Sequence, residues 1–313
     1  MPALVSILIP CYNAAPWLPA TLQSALAQTW PNREIIVVDD GSQDGSLAAA
    51  RGFESQGVAV IAQPNRGASA ARNTALRSSR GAWIQFLDAD DLLAPDKIER
   101  QLGNAAAQRG DLMLAARWAR FTGSPENVQF APEMLCRDAD PVEWNVLKLE
   151  HHAMMHPAAW LTPRALADSA GPWDETLSLD DDGEYFSRLV LRSAGVRYCP
   201  DAVSLYRSSL SGSLSTSKSD RAWDSGLRSL EATAALLTAR ENSPRTRHAC
   251  AVAAQQLIYE AYPAAPAMRR RAKALAAGWG GAQVAPFGGP KFQRLRRLVG
   301  WRLARRLQRV FGP

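Results

Sequence analysis

Carboxylates crowd at three places in this chain. Asp88, Asp90 and Asp91 fall within four positions directly after the apolar run 83–87, Asp39 and Asp40 follow the run 35–38, and Asp180, Asp181, Asp182 and Glu184 precede Phe186, Leu189 and Val190. With one residue between them, Asp88 and Asp90 point the same way if the backbone stays extended. Paired carboxylates suit a hard divalent cation such as Mg²⁺ or Mn²⁺, which takes few protein ligands and completes its shell with phosphate oxygens and water. An acidic turn capping the helix that follows Pro95 accounts for the same spacing.

The third cluster carries a different chemistry. Phe186, Leu189 and Val190 recur at helical spacing, so the acids before them occupy the first turn of a helix, where the macrodipole favours negative charge. A helix start stabilised by its own carboxylates has the same pattern. Crowding also raises the proton affinity of one member, which suits a general base working near neutral pH.

The elements that must position these groups alternate. Residues 5–9 read as a buried strand ended by Pro10, with Cys11, Tyr12 and Asn13 at its carboxyl end. A helix follows over 17–27. A second strand over 34–38 empties into Asp39, Asp40, Gly41 and Ser42. Asp44 caps a helix to about 55, 58–62 is a third strand, and an Ala-rich helix runs from about 67 to 80. The acid-bearing strand at 83 follows, then a helix over 95–108 and a strand within 112–121. This order predicts an α/β fold with a parallel, right-handed, layered sheet. In such sheets ligands sit just beyond the carboxyl ends of the strands, where Asp39, Asp40, Asp88 and Asp90 all lie. Gly67, Ala68 and Ser69 could admit a phosphate to backbone N–H groups, although close helix packing explains them equally well.

Composition narrows the partners. The chain has 313 residues, 47% hydrophobic, and a formal charge of +6, enough for a large α/β domain with appendages. After Glu260 there are 12 Lys and Arg and no acid, so the remainder carries 24 basic against 30 acidic residues. The basicity belongs to the tail, and the body would repel nucleic acid. Cys11, Cys136, Cys199 and Cys250 are far apart, without zinc or redox spacing. No dinucleotide or P-loop glycine motif is present. The N-terminus lacks a signal-peptide pattern and no window resembles a membrane span, so a cytoplasmic location is expected.

Four segments together resemble the inverting GT-A glycosyltransferases of family 2: S-I-L-I-P-C-Y-N over 6–13, I-I-V-V-D-D-G-S-Q-D-G-S over 35–46, N-R-G-A-S-A-A-R-N over 65–73, and I-Q-F-L-D-A-D-D over 84–91. The resemblance is strong over 4–127 and moderate over 157–207. It implies a GT-A fold, a Rossmann-like and mostly parallel twisted sheet flanked by helices, over 1–215. Residues 1–125 would form the nucleotide-sugar half and 126–215 the acceptor and base half, with a helical extension over 216–313. It also implies roles. Tyr12 stacks on the nucleotide base, flanked by Pro10 and Asn13. Asp40 accepts from the ring N–H, with Asp39 beside it, and Arg72 lies near the nucleotide. Asp88, Ala89 and Asp90 form the DXD motif, with Asp90 on Mn²⁺ or Mg²⁺ and Asp88 facing the ribose. Asp182 is the base, with Asp181 and Glu184 as alternatives. Here the family's Glu-Asp pair reads Asp-Asp. The core alternatives are that Tyr12 is a buried aromatic and that Arg72 simply pairs with Asp88 or Asp90. Asp91 is left a supporting or helix-capping role.

The donor is expected to be a nucleotide sugar, a UDP-sugar first, and the acceptor a glycan or lipid-linked glycan in cell-surface polysaccharide synthesis. A non-catalytic nucleotide- or glycan-binding or membrane-docking module is the alternative. A sugar nucleotidyltransferase would need a Gly-rich phosphate loop after the first strand. The family often completes its metal site with a His after the last strand; residues 206–215 contain none, and this Ser-rich segment is expected to act as a lid. His151, His152 and His156 lack metal-ligand spacing and are read as structural or acceptor-lining. In the tail, Phe292, Leu295, Val299, Leu303, Leu307 and Val310 share one helical stripe over 291–311, interrupted by Arg296. Such a helix can lie on an anionic membrane, dock on its own domain or remain disordered.

Overall fold

The computed structural model describes residues 2–208 and 218–311. The parallel strands β1 (Val5–Cys11), β2 (Arg33–Asp40), β3 (Val58–Gln63) and β4 (Trp83–Phe86) lie in the order β3-β2-β1-β4. Their crossovers are α1 (Leu18–Leu26), α2 (Ser46–Arg51) and α3 (Ala68–Ser78). All seven residues of β1 are buried because both faces are covered: Ile7 and Ile9 join Leu18, Leu22 and Ala25 of α1 in one cluster, and Leu8 joins Ala71 and Ala75 of α3 in the other. Burial on both faces is what turns these strands into continuous apolar runs. β1 and β2 run two residues further than expected, so Pro10, Asp39 and Asp40 are strand residues.

Four more strands, β5 (Leu92–Leu93), β6 (Met113–Phe121), β7 (Trp160–Pro163) and β8 (Val196–Arg207), extend the order to β3-β2-β1-β4-β7-β6-β8-β5. β7 is antiparallel to both β4 and β6, and β5 is antiparallel to β8. The sheet is therefore parallel in its first half and mixed beyond. At the β4–β7 and β6–β7 joints only two residue pairs each are in register, and side chains meet the backbone there. Gln85 donates to Phe86 O and Ala158 O (2.6 and 3.1 Å), Lys97 to Trp160 O (3.1 Å) and Gln101 to Leu114 O (3.0 Å), all three side chains being fully buried. A carbonyl left unmet here would cost about 1–3 kcal/mol. Burial pushes the pKa of Lys97 well down.

The predicted helix over 95–108 is interrupted: α4 (Lys97–Leu102) stops at Gly103, and a 3-10 turn covers Ala105–Arg109. α5 (Pro141–His151), α6 (Arg164–Ala170) and α7 (Asp181–Arg192) then flank the sheet. α8 (Asp220–Arg240), α9 (Pro244–Ala261) and α10 (Pro266–Gly278) follow, α8 packing on α7 and α9 on α5. Tail helix α11 (Pro290–Phe311) is kinked at Gly300 (φ 76°, ψ 156°). The kink divides the expected stripe. Phe292 and Ala304 are buried and Trp301 packs edge-on against Tyr259 and Tyr262, whereas Leu298, Val299 and Leu303 face solvent. Among the described residues no helix is long and apolar enough to cross a membrane. The lid expected over 206–215 lies, after Ser208, outside the described residues.

Candidate active site

The exits of β1, β2 and β4 lie side by side because these strands are parallel neighbours. Tyr12, just past β1, is 49% exposed, which removes the buried-aromatic reading. Next to it Asn13 adopts a left-handed backbone (φ 49°), a conformation Asn tolerates better than most residues. Asn13 N–H donates to Ser42 Oγ (3.0 Å) and Gln43 N–H to Asn13 Oδ1 (2.8 Å), latching the first two strand exits together. Pro10 lies buried inside β1, its Cα paired with that of Val38.

Asp40 accepts from Gln63 Nε2 (2.6 Å), Arg66 N–H (3.0 Å) and Gly67 N–H (2.7 Å). Of the N–H groups that the sequence offered to a phosphate, that of Gly67 is thus occupied by a protein carboxylate. Three donors leave Asp40 spare acceptor capacity, since an ionised carboxylate has about four lone-pair sites. Asp39 accepts Ser42 N–H through Oδ2 (3.1 Å), while its buried Oδ1 has no partner. Gly41 has φ 74°, and a Cβ there would stand 2.8 Å from Asn65 N, so the turn admits only glycine.

After β4 the chain turns through Asp88, Ala89 and Asp90. Ala89 O accepts from Thr21 Oγ1 (2.9 Å) and Asp90 O from Arg207 Nε (2.9 Å). The Asp90 carboxylate hydrogen-bonds no side chain among the described residues, and burial, with Asp91 and Asp88 adding their charge, pushes its pKa up to about 7. An acid held this far from compensation fits a cation. No group of three or more His, Cys, Asp or Glu among the described residues forms a closed metal cage. Asp88 and Asp90 would therefore supply part of a shell whose remainder comes from diphosphate oxygens and water, the arrangement Mg²⁺ and Mn²⁺ prefer at phosphorylated substrates.

Arg72 is 6% exposed and bridges two clusters. It donates through Nη2 to Asp88 (2.8 Å) and through Nη1 to Asp181 (2.9 Å), with its guanidinium 4.5 Å from the centre of the Trp173 ring. Burial works against the cation, but Asp88 and Asp181 overcome it and hold Arg72 above its usual pKa. The pairing seen as an alternative in the sequence is thus present with Asp88 and absent with Asp90, and Asp181 was not anticipated. Asn73 extends the link by exchanging hydrogen bonds with the Trp173 backbone (3.0 and 2.8 Å).

The first turn of α7 separates its acids. Asp181 is committed to Arg72 and Ser69 Oγ (2.8 Å). Glu184 is buried in a forked pair with Arg188 (2.8 and 2.9 Å). Among the described residues Asp182 has no ion pair, accepting Gly183 N–H (2.9 Å), and burial, then Asp181 and Asp180, push its pKa up to about 7. This turn is held from behind by α8: Ser225 Oγ accepts from Ser178 and Leu179 N–H (2.7 and 3.1 Å), and Ser229 Oγ donates to Asp180 (2.6 Å). A Cβ on Gly183 would stand 1.9 Å from Asp180 Oδ1, so any larger residue would displace the Asp180 carboxylate.

Sequence reasoning missed Arg207, which ends β8, packs over Trp17 and Phe121 (4.6 and 4.4 Å) and grips Asp90 O. Asp91 is not a helix cap. It is fully buried and paired with His156. His152 instead pairs with Glu260 (3.1 Å), and neither histidine belongs to a metal cluster among the described residues.

The family model described as Glycosyl transferase family 2 matches residues 6–167, more than half of the chain. The chain belongs to glycosyl transferase family 2. A relative of this family, the UDP-Glc:alpha-D-GlcNAc-diphosphoundecaprenol beta-1,3-glucosyltransferase WfgD of Escherichia coli, is 39% identical over 100 residues, 32% of this chain and 40% of that protein. The chain spans about half the length, or less, of the first curated relatives it matches. Among solved structures, S. aureus TarS 1-349 in complex with UDP-GlcNAc shares the fold at TM-score 0.62 and 16% identity, over 98% of this chain and 91% of TarS 1-349. The mannosyltransferase PcManGT from Pyrobaculum calidifontis, in complex with GDP-Man and Mn²⁺, does so at TM-score 0.56 and 18% identity, over 98% and 87%. The GT-A architecture expected for family 2 is thereby shown, with a mixed sheet and a helical C-terminal region.

Proposed function

We propose that this family 2 chain is a metal-assisted inverting glycosyltransferase that moves a sugar from a nucleotide sugar, a UDP-sugar first, to a hydroxyl of a glycan or lipid-linked glycan. The observation that supports the reading is the Arg72 bridge, which ties Asp88 of the DXD turn to the helix start that bears Asp182, an acid poised near neutrality. Tyr12 would stack on the base and Asp40 accept from its ring N–H, with Pro10, Asn13, Asp39 and Ala89 shaping the pocket. Asp90 and Asp88 would hold Mn²⁺ or Mg²⁺, which when bound neutralises charge on the departing nucleoside diphosphate. Asp182 takes the proton of the acceptor hydroxyl as its oxygen attacks the anomeric carbon from the face opposite the leaving group, so the configuration inverts. Asp181, tied to Arg72, orients the turn. The UDP ligand of TarS and the UDP-Glc in the name of WfgD favour a UDP-sugar over GDP-Man.

Nucleoside diphosphate release from a panel of nucleotide sugars, with and without Mn²⁺, tests the reading on wild type and Asp90→Ala. Metal-stimulated release that the variant lacks is expected. Equal turnover in both would remove the metal role, and no release from any sugar would favour the non-catalytic module.

The tail supports a location at a membrane surface. Leu298, Val299 and Leu303 are exposed at 83, 40 and 46% on a helix whose charges are all basic. Exposed apolar side chains among Lys and Arg match an anionic bilayer, where a lipid-linked acceptor would be found. Co-sedimentation with phosphatidylglycerol vesicles, lost in Leu298→Asp/Leu303→Asp, is the expected result. Equal pelleting of the variant would remove the assignment.

A further inference from the structure

Behind the DXD turn lies a chain of hydrogen bonds that the proposed reaction does not use. His156 Nδ1 meets Asp91 Oδ2 at 2.9 Å, and His156 Nε2 meets Ser204 Oγ at 2.9 Å. The second Asp91 oxygen accepts Arg207 N–H at 2.8 Å. Asp, His and Ser in this order resemble a nucleophilic relay. Here they are sealed, Asp91 and Ser204 fully and His156 to within 1% of its side-chain surface. No substrate reaches the hydroxyl, so nucleophilic chemistry is excluded and the question becomes what the chain holds in place.

It holds the turn that carries Asp88 and Asp90. Asp91 is the next residue after Asp90, and its N–H closes the turn on Asp88 O (3.1 Å). Its carboxylate fastens that turn to two other elements at once: to the end of β8 through Arg207 N–H and to the segment before β7 through His156. Ser204, in β8, fixes the far side of the imidazole. Arg207 Nε also grips Asp90 O (2.9 Å), so both faces of the turn answer to the last strand. Trp118 and Tyr206 wall the imidazole at 5.3 and 5.4 Å between ring centres, restricting its rotation.

We infer that Asp91, His156 and Ser204 are positioning residues that fix the DXD turn from behind and so set the affinity of the site for a divalent cation with a nucleoside diphosphate. The inference rests on the reading of Asp88 and Asp90 as the diphosphate and metal platform. Outer partners of metal-binding groups typically control about 10- to 100-fold in affinity.

The test measures binding rather than turnover: Mn²⁺ titrated into protein with UDP and followed by electron paramagnetic resonance, on wild type, His156→Ala, Ser204→Ala and Asp90→Ala. His156→Ala should weaken Mn²⁺·UDP binding about 10- to 100-fold. Ser204→Ala should weaken it about two- to tenfold, the worth of one neutral hydrogen bond, with UDP binding in the absence of metal unchanged. Ser204→Ala removes one hydroxyl and decides the matter should His156→Ala not fold. Asp90→Ala separates the two levels. Wild-type Mn²⁺·UDP binding in Asp90→Ala would overturn the platform itself. Loss in Asp90→Ala with wild-type affinity in Ser204→Ala and in folded His156→Ala would overturn only the positioning role.

Discussion

Arg72 and Asp181 meet at 2.9 Å with side chains 7 and 12% exposed, joining the helix after β3 to the first turn of α7 across 109 residues of sequence. Because the same guanidinium also holds Asp88 at 2.8 Å, the turn after β4 and the start of α7, the proposed donor and base sides, share one cation. Their separation is therefore set before any ligand arrives.

Removing that cation should be costly twice over. Arg72→Ala leaves Asp88 and Asp181 without their ion pair, and breaking a buried pair typically costs about 3–5 kcal/mol. A drop of several degrees in Tm is expected, together with loss of nucleotide-sugar binding. Arg72→Lys keeps the charge but not the fork, and a single ammonium cannot reproduce the planar two-sided contact. It should recover part of the stability and little of the turnover. Wild-type turnover in Arg72→Lys would show that the bridge is not needed.

The base should announce itself in the pH profile. Asp182 must be ionised to accept a proton, so kcat/KM should fall about tenfold per unit as pH drops below about 7. Asp90 titrates in the same range when no metal is bound, but a saturating cation competes with its proton, so the limb that survives high Mn²⁺ belongs to Asp182. Asp182→Asn should flatten that limb and lower kcat by about 10²–10⁴. A limb that slides with Mn²⁺ concentration would assign it to Asp90 instead.

Activity and stability should move in opposite directions at these acids. Each carboxylate binds its proton more tightly folded, near 7, than unfolded, near 3.8. As pH rises between those values the unfolded chain ionises first, so the folded state loses stability, and above about 7 the loss is complete. Asp90→Asn and Asp182→Asn abolish the penalty. Metal-free Tm at pH 8 should rise by about 2 to 4 °C, roughly 1 kcal/mol, and the gain should vanish near pH 4. A Tm below wild type at pH 8 would mean that these carboxylates are compensated after all.

On the proposed reading, Tyr12 would contribute a face, not a hydroxyl. Tyr12→Phe should leave donor KM unchanged, whereas Tyr12→Ala should raise it about 5- to 150-fold, since stacking of a base on an aromatic ring is worth about 1–3 kcal/mol. The effect should appear equally for UDP alone, measured by calorimetry. A Tyr12→Ala variant with wild-type UDP affinity would remove Tyr12 from the base site.

What was legible in the sequence follows from where its information is local. β1 to β4 are buried on both faces and read as apolar runs, and the carboxylates at their exits could be placed from chain order alone. The mixed half of the sheet could not. β7 is four residues long, and its antiparallel joint is completed by Gln85, Lys97 and Gln101, polar residues that no hydropathy pattern assigns to a core. Asp91 looked like a helix cap because its partners, His156 and Arg207, lie 65 and 116 residues away. Among the acids of α7, neighbours in sequence became distinct only through Arg72 and Arg188. Gly300, ordinary in a helical pattern, broke the tail stripe through its positive φ.

The serines of α8 that grip residues 178–180 have a consequence for how such a chain can change. The residues proposed to meet the nucleotide, Tyr12 to Asp90, lie within the first 90, whereas residues 178–180, which lead into Asp182, are held by hydroxyls 46 to 49 residues further along the chain. On the proposed reading, the approach of the acceptor hydroxyl is therefore set in part from the helical region. On that reading, substitutions at the α8 serines would shift the approach of the acceptor hydroxyl without touching Tyr12 or Asp40.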